Sequence, residues 1–312
     1  MLQPPVSRVR ELLGFDRLVP ALHEAFVAGA TVPLRHTHEV GTGDEAGTSL
    51  LMPAWNDDGF YGVKIVNIFP GNRAKGLPGL HSTYVLHDAR TGVPLALLDG
   101  DEITSRRTAA AAALAASFLA RDDASILLVV GAGRVGSLTA PAMATVRQLS
   151  EVAIWDIDSD VAQRCAAALQ QQGLPAQAVS NLEAAVRKAD IVSCATLATT
   201  PVVQAEWLAP GSHLDLIGSF TPRMTEAQPA CFAGAGVWID TEEALAKSGD
   251  LLNAIADGCL TRAGVAGDLA GLCQGRIVGR TDTSQRTVFK AVGTALEDLA
   301  AATLVYRQLA AV

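Results

Sequence analysis

No pair of cysteines in this sequence is spaced C-x-x-C. The five cysteines, Cys165, Cys194, Cys231, Cys259 and Cys273, form an odd and scattered set. That argues against a disulfide framework or a zinc cluster, and no metal site is indicated. It fits buried free thiols in a reducing compartment, so a cytoplasmic protein is expected. No cluster of Lys and Arg stands out, and the formal net charge is −8. Nucleic acid and anionic membrane surfaces are therefore poor partners. The most apolar helix candidate, Thr108 to Ala120, has only 13 residues, whereas a bilayer needs about 20. The stretch MLQPPVSRVRELL lacks a basic region followed by a long apolar one, so no signal peptide is expected. The chain also has no internal repeat and no low-complexity linker.

What is present is enough apolar material for a large core. Hydrophobic residues make up 49% of 312 residues and charged ones 18%, a length that suits two domains. The most informative stretch runs from Ile126 to Asp156. Ile126 to Val130 reads as a buried strand, followed by Gly131, Gly133 and Gly136 in G-x-G-x-x-G spacing. Helix formers come next, and Val152 to Trp155 form a second strand ending at Asp156. Gly131 allows a tight turn, Gly133 lets backbone approach a pyrophosphate, and Gly136 lets helix and strand pack closely. The helix N-terminus, opening near Val135, offers N–H groups to that pyrophosphate. Asp156 lies 20 residues beyond Gly136. There it can accept hydrogen bonds from an adenine ribose, welcoming a 2′-hydroxyl and repelling a 2′-phosphate. NAD is therefore expected, with NADP as the alternative. Arg134, inside the loop, is a candidate pyrophosphate contact and equally a candidate solvated side chain.

Before this stretch, residues 6 to 28 read as one or two helices stopping at Gly29. Val32 to Arg35 is extended, and His36 to Thr48 reads as a loop. Strand-like pieces follow at Ser49–Met52, Phe60–Phe69, Thr83–Leu86 and Pro94–Leu98, with no helix between them, as in an antiparallel or mixed sheet. A long helix, with Thr104 as its cap, runs to about Leu119; its alanines suit a buried interdomain connector. After Asp156, strands and helices alternate: helix 159–172, strand 177–179, helix 182–188, then strands 191–195, 213–217 and 237–240. That alternation is the doubly wound signature, with ligands at the carboxyl ends of the strands. Thr287 to Leu309 reads as a long terminal helix returning to the first domain.

An ordered set of motifs then carries a resemblance. K-x-V-N-x-F-P-x-N (Lys64 to Asn72) precedes K-G-L-P (Lys75 to Pro78), L-D-G-x-x-I-T-x-x-R-T-A-A (Leu98 to Ala110) and V-G-A-G. This set resembles the ornithine cyclodeaminase/μ-crystallin family over roughly residues 30 to 300. The resemblance implies an α/β homodimer. A Rossmann-type doubly wound sheet, residues 119–286, would bind NAD(P). An α+β substrate-binding and dimerisation domain, residues 1–118 and 287–312, would be completed by the C-terminal helix. Members include ornithine cyclodeaminase, an alanine dehydrogenase, and reductases of cyclic and linear imino acids.

Residue by residue, the resemblance implies that Arg107 and Arg35 hold the substrate carboxylate, for which a planar guanidinium is suited. It places Lys64 at the substrate too, although a lysine on an alternating strand ordinarily faces solvent. Desolvated beside two arginines, Lys64 would have a lowered pKa and could pass a proton to an imine nitrogen. Thr108, Thr196 and Ser219 are expected near the cofactor. Arg106 is read as an ion-pair residue, Lys75 as a loop cation, and His81 as structural rather than as a pocket residue.

The chain also departs from the family pattern. The cyclodeaminase aspartate falls in a G-G-D-C-P-G-K-T-E stretch, here G-S-F-T-P-R-M-T-E (Gly218 to Glu226), with Phe220 at the aspartate position. A glutamate expected before M-P is Leu51, and a common serine near the nicotinamide is Ala291. Phenylalanine and leucine offer no ionic partner to a second ammonium, which points to a substrate with an apolar or short side chain. The expected activity is NAD(P)H-dependent reduction of Δ1-pyrroline-2-carboxylate to L-proline or of piperideine-2-carboxylate to L-pipecolate. The alternatives are ornithine cyclodeaminase, alanine dehydrogenase and a non-catalytic NAD(P)H-dependent binder.

Overall fold

Apolar residues at helical spacing build the first two helices. α1 (Val6–Leu12) buries Val9 and Leu12. α2 (Phe15–Ala28) buries Phe15, Leu18, Val19, Leu22 and Phe26. It stops at Gly29, whose φ of 78° suits a residue without a Cβ. The computed structural model describes residues 1–311.

An antiparallel sheet follows, its strands adjacent in chain order. The strands are β1 (His36–Val40), β2 (Gly47–Trp55), β3 (Phe60–Ile68), β4 (Leu80–Asp88) and β5 (Pro94–Asp99). Burial alternates along β2 to β5: Met52 and Ala54, Gly62, Lys64 and Val66, Tyr84 and Leu86, Ala96 and Leu98 are inward. β1 corrects the expectation of a loop at 36–48. Its five residues, HTHEV, are all exposed, so no apolar alternation marked it; backbone pairing with β2 makes it a strand.

The chain then enters α3 (Gly100–Leu119). Asp99, not Thr104, caps it: Asp99 Oδ1 accepts from the Glu102 N–H at 2.7 Å. The last turn of α3 has no basic residue of its own. Instead Arg147 Nη2 donates to the carbonyls of Ala116, Ser117 and Ala120, and Arg280 Nε donates to that of Leu119. These guanidinium groups satisfy the orphan carbonyls and oppose the negative end of the helix dipole.

Eight parallel strands make the second sheet. In chain order its elements are β6 (Ile126–Val130), α4 (Gly136–Met143), β7 (Glu151–Trp155), α5 (Ser159–Gln171), β8 (Ala176–Ala178), α6 (Leu182–Lys188), β9 (Ile191–Cys194), β10 (His213–Leu216) and β11 (Gly236–Ile239). Then come α7 (Ala244–Lys247), α8 (Gly249–Ala256), β12 (Val265–Asp268), α9 (Leu269–Cys273), β13 (Thr287–Lys290) and α10 (Ala295–Ala310). The order across the sheet is β12-β11-β13-β10-β9-β6-β7-β8. Strands buried on both faces, such as LLVV in β6 and HLDL in β10, fit a fully covered parallel sheet.

β13 corrects the expected helix from Thr287. Its residues pair with both β10 and β11 in mid-sheet, and α10 begins only at Ala295. β12 has no strand pattern of its own: its four residues, VAGD, include Gly267, and pairing with β11 makes it a strand.

Contacts divide the chain into two compact units. One is Met1–Arg107 with the residues from Thr294 onward; the other is Thr108–Gly293. The expected boundaries at 118/119 and 286/287 thus move. β13 carries residues 287–293 into the parallel-sheet unit, and the division along α3 falls just after Arg107. Among the described residues, no helix is long and apolar enough to cross a membrane. All five cysteines are free.

Candidate active site

In the parallel-sheet unit, the loop between β6 and α4 has the form that the glycine spacing implies. Gly131 takes φ of 93°. A Cβ on Gly136 would lie 1.8 Å from the Gly131 carbonyl oxygen, so only glycine permits this closure. A Cβ on Gly133 would meet nothing within 4 Å, which leaves open space above the loop where a phosphate group can approach. Asp156 directly follows β7: its Oδ2 accepts from the Ala132 N–H at 2.7 Å and its Oδ1 from the Asp158 N–H at 2.9 Å. The carboxylate is thereby fixed beside the glycine loop. Next to it Ile157 is 93% exposed and Asp158 is occupied capping α5, so neither neighbour offers a positive charge to a 2′-phosphate. These features fit a dinucleotide. Arg134 is exposed and Val135 half-buried at the head of α4.

The carboxyl ends of β9 and β10 are tied together by a residue that sequence reasoning did not single out. Glu226 is wholly buried, and one of its oxygens accepts from both the N–H (2.7 Å) and the hydroxyl (2.9 Å) of Thr196. Its other oxygen accepts from the Gly218 N–H at 2.6 Å. Burial pushes the Glu226 carboxyl up to about 7, against the attraction of Lys290. Ser219 is also wholly buried, its hydroxyl donating to the Met224 carbonyl; it faces inward rather than toward open space. Phe220, next in line, is 49% exposed. Thr108 is half-buried on α3.

In the other unit, the structure brings Lys64 and Arg107 into one buried cluster. Lys64 is 2% exposed and Arg107 6%. Lys64 is thus on the covered face of β3, opposite the usual placement of a strand lysine. Pairing puts Met52, Lys64, Tyr84 and Leu98 in one row across β2, β3, β4 and β5. Gly62, two residues before Lys64, makes room for the Tyr84 ring, since a Cβ there would lie 2.0 Å from the Tyr84 hydroxyl. α10 packs on β2 and β3 and supplies the acids. Lys64 Nζ lies 2.7 Å from Asp298 Oδ2, and Arg107 Nε donates to Asp298 Oδ1 at 2.9 Å. Arg107 Nη1 donates to Glu297 Oε2 at 2.7 Å, and Lys64 reaches Thr104 Oγ1 at 3.3 Å. Two cations therefore meet two carboxylates in a desolvated space.

Desolvation pushes the Lys64 ammonium down to about 8, although Asp298 opposes the shift. Burial pushes Asp298 up, but Lys64 and Arg107 outweigh it and hold that carboxyl below its usual range. Burial lowers Arg107, but its two acids win and it stays charged. Two of the five guanidinium N–H groups serve these acids, which leaves donors for a further anion. Arg35 is half-buried and precedes β1, where His36 pairs with Leu51, the neighbour of Met52.

Asp298 and Glu297 were missed in the sequence reading. Asp298 shares a helical stripe with Ala295, Ala302 and Val305, so an acid on an apolar stripe was the available signal. The ion-pair expectation for Arg106 and the loop-cation expectation for Lys75 match the structure, while His81 is neither a buried structural histidine nor placed in a pocket. Arg106 pairs with Glu102, Lys75 pairs with Glu45, and His81 is exposed on β4.

The model of the ornithine cyclodeaminase/mu-crystallin family matches residues 3–311. The chain belongs to this family. A family member named Delta(1)-pyrroline-2-carboxylate reductase, from Paracoccus denitrificans, is 38% identical, covering 92% of each chain. The solved structure of Thermococcus litoralis Delta(1)-pyrroline-2-carboxylate reductase, in complex with NADH and L-proline, has a TM-score of 0.93 to this chain. It is 31% identical and covers 100% of this chain and 98% of its own. An archaeal alanine dehydrogenase dimer with bound NAD has a TM-score of 0.91 at 29% identity, covering 100% and 97%.

Proposed function

We propose that the chain is an NADH-dependent reductase of a cyclic imino acid. Δ1-pyrroline-2-carboxylate is the first candidate, giving L-proline, and piperideine-2-carboxylate the second, giving L-pipecolate. The buried Lys64–Arg107 pair carries the proposal, because one planar cation and one proton-bearing cation suit a carboxylate beside a C=N bond. The likeness to two reductases named for the pyrroline substrate supports it. When bound, NADH supplies the hydride that reduces the imine carbon.

The remaining roles belong to the chain. Arg107 and Arg35 hold the carboxylate, and Lys64 gives a proton to the nitrogen. Gly131, Gly133, Arg134, Val135 and Gly136 receive the pyrophosphate, and Asp156 takes the ribose hydroxyls. Thr108 and Thr196 lie near the cofactor, with Ser219 supporting the loop. Phe220 and Leu51 replace acids by apolar groups, which disfavours a diamino acid and hence cyclodeamination. A second substrate, pyruvate with ammonia, is favoured by the alanine dehydrogenase likeness alone.

Purified protein mixed with NADH and Δ1-pyrroline-2-carboxylate should lose the near-UV absorbance of NADH, and NADPH should serve poorly. Ammonia release from ornithine, with no loss of NADH on cyclic imines, would sink the proposal. Equal use of NADPH would remove the role given to Asp156.

We also propose a homodimer in the cytoplasm. The fully exposed edge strand β1 presents unpaired backbone groups that a second copy can cover, and five free thiols suit a reducing compartment. Sedimentation should give twice the chain mass; a monomer at micromolar concentration would refute the dimer.

A further inference from the structure

Two of the three cations proposed to serve the substrate, Lys64 and Arg107, are bound to the same acid. Asp298 is wholly buried in the first turn of α10, where the helix N-terminus favours a negative charge. Its two oxygens are divided, one toward Lys64 Nζ at 2.7 Å and the other toward Arg107 Nε at 2.9 Å. Neither cation can turn away without leaving a buried carboxylate short of a partner.

The groups facing Lys64 come from four elements. α10 contributes Asp298 and Glu297, α3 contributes Arg107 and the Thr104 hydroxyl, β4 contributes Tyr84, and β2 contributes only the apolar Met52. Burial and Arg107 both act to strip the proton from Lys64, while Asp298 is the largest influence that keeps it. The Tyr84 phenol, pushed well up by burial and then by Asp298, stays neutral.

Building on the imine-reductase reading, we propose that Asp298 is a positioning residue for this reaction. It locks Lys64 and Arg107 in one geometry and keeps Lys64 protonated in a dry site, so the proton for the imine nitrogen is held by the chain. The step balances. The imine carbon accepts hydride from the reduced nicotinamide, which is oxidised. The C=N π pair moves to nitrogen, and the nitrogen takes the Lys64 proton to become an amine. Neutral Lys64 then recovers a proton from solvent.

The chain has five lysines, Lys64, Lys75, Lys188, Lys247 and Lys290, so a carbon-13 label at lysine Cε resolves each titration. In the full-length protein, Asp298→Asn should lower the Lys64 midpoint by about 1–3 pH units. The alkaline limb of kcat/KM for imine reduction should move down with it. Asp298→Glu, which keeps the charge, should return both toward wild type. An unmoved Lys64 midpoint in Asp298→Asn overturns the proposal. So does an Asp298→Glu protein that folds yet titrates at Lys64 about a pH unit or more below wild type, a comparison that still decides the matter should the Asn variant not fold. Failure of the functional reading looks different: wild-type protein is then silent on cyclic imines while the NMR shift persists.

Discussion

Lys64→Met should cut imine reduction by about 10²–10⁴-fold while leaving NADH binding intact, because a positioned acid contributes that much to proton transfer. Methionine keeps the length and apolar stem of lysine and removes only the charge and the donors. Lys64 lies in the antiparallel-sheet unit, whereas the glycine loop and Asp156 belong to the other. Its loss should therefore appear in kcat/KM for the imine and not in NADH fluorescence titration. Folding should suffer less than a broken buried ion pair usually costs, about 3–5 kcal/mol, because Arg107 still donates to Asp298. The pH dependence of stability supplies a second check. Lys64 titrates near 8 when folded and near 10.5 otherwise, so between those values the unfolded chain binds more protons. Wild-type stability therefore gains from this group as pH rises from about 8 to 10.5, and that gain should vanish in the variant. Wild-type turnover by Lys64→Met at neutral pH would end the proton-donor role.

Different parts of the molecule were legible in the sequence for different reasons. Ile126 to Asp156 was readable because its constraints are local: a Cβ on Gly136 would lie 1.8 Å from the Gly131 oxygen, so no other residue fits, whatever surrounds it. The alternation in β3 gave the strand but not its orientation, since Val63 and Ile65 on one face are as apolar as Gly62 and Val66 on the other. Only the family motif raised Lys64 above a solvated lysine. β1 was lost because an edge strand with polar residues is defined by backbone pairing, which leaves no periodic mark. β13 was lost because four residues ahead of a helix carry too little pattern, and their place between β10 and β11 is decided by partners far away in sequence. Asp298 was lost for a related reason. Its importance lies in reaching Lys64 and Arg107, which are 234 and 191 positions distant.

His213→Leu should make the protein more resistant to acid, by several kcal/mol near pH 4. His213 opens β10 and is wholly buried. Its Nδ1 lies 3.0 Å from Thr287 Oγ1, and that hydroxyl already donates to the Leu119 carbonyl at 2.9 Å. Thr287 can therefore only accept from the ring, which assigns the proton to Nδ1 and leaves Nε2 as a bare acceptor with no hydrogen-bond partner among the described residues. Protonating Nε2 would place a charge in a dry core near the Arg280 and Arg147 guanidinium groups. Burial, then those two cations, push the imidazole from 6.5 down to about 3. Between these values the unfolded chain binds a proton that the folded chain refuses, so stability falls as pH drops through this window. Each pH unit inside the window costs about 1.4 kcal/mol. The buried acids Asp215 and Glu226, pushed up to about 7, act in the opposite sense between neutrality and pH 4. The informative quantity is therefore the difference between wild type and variant, not the absolute acid midpoint. Leucine retains the packing and forfeits one hydrogen bond, worth about 1 kcal/mol, while Arg280 still donates to Thr287. Urea unfolding at pH 7 should then show the variant slightly weaker, and at pH 4 clearly stronger. Parallel curves at the two pH values would mean that His213 is protonated in the folded protein, and the tautomer assigned from Thr287 would be wrong.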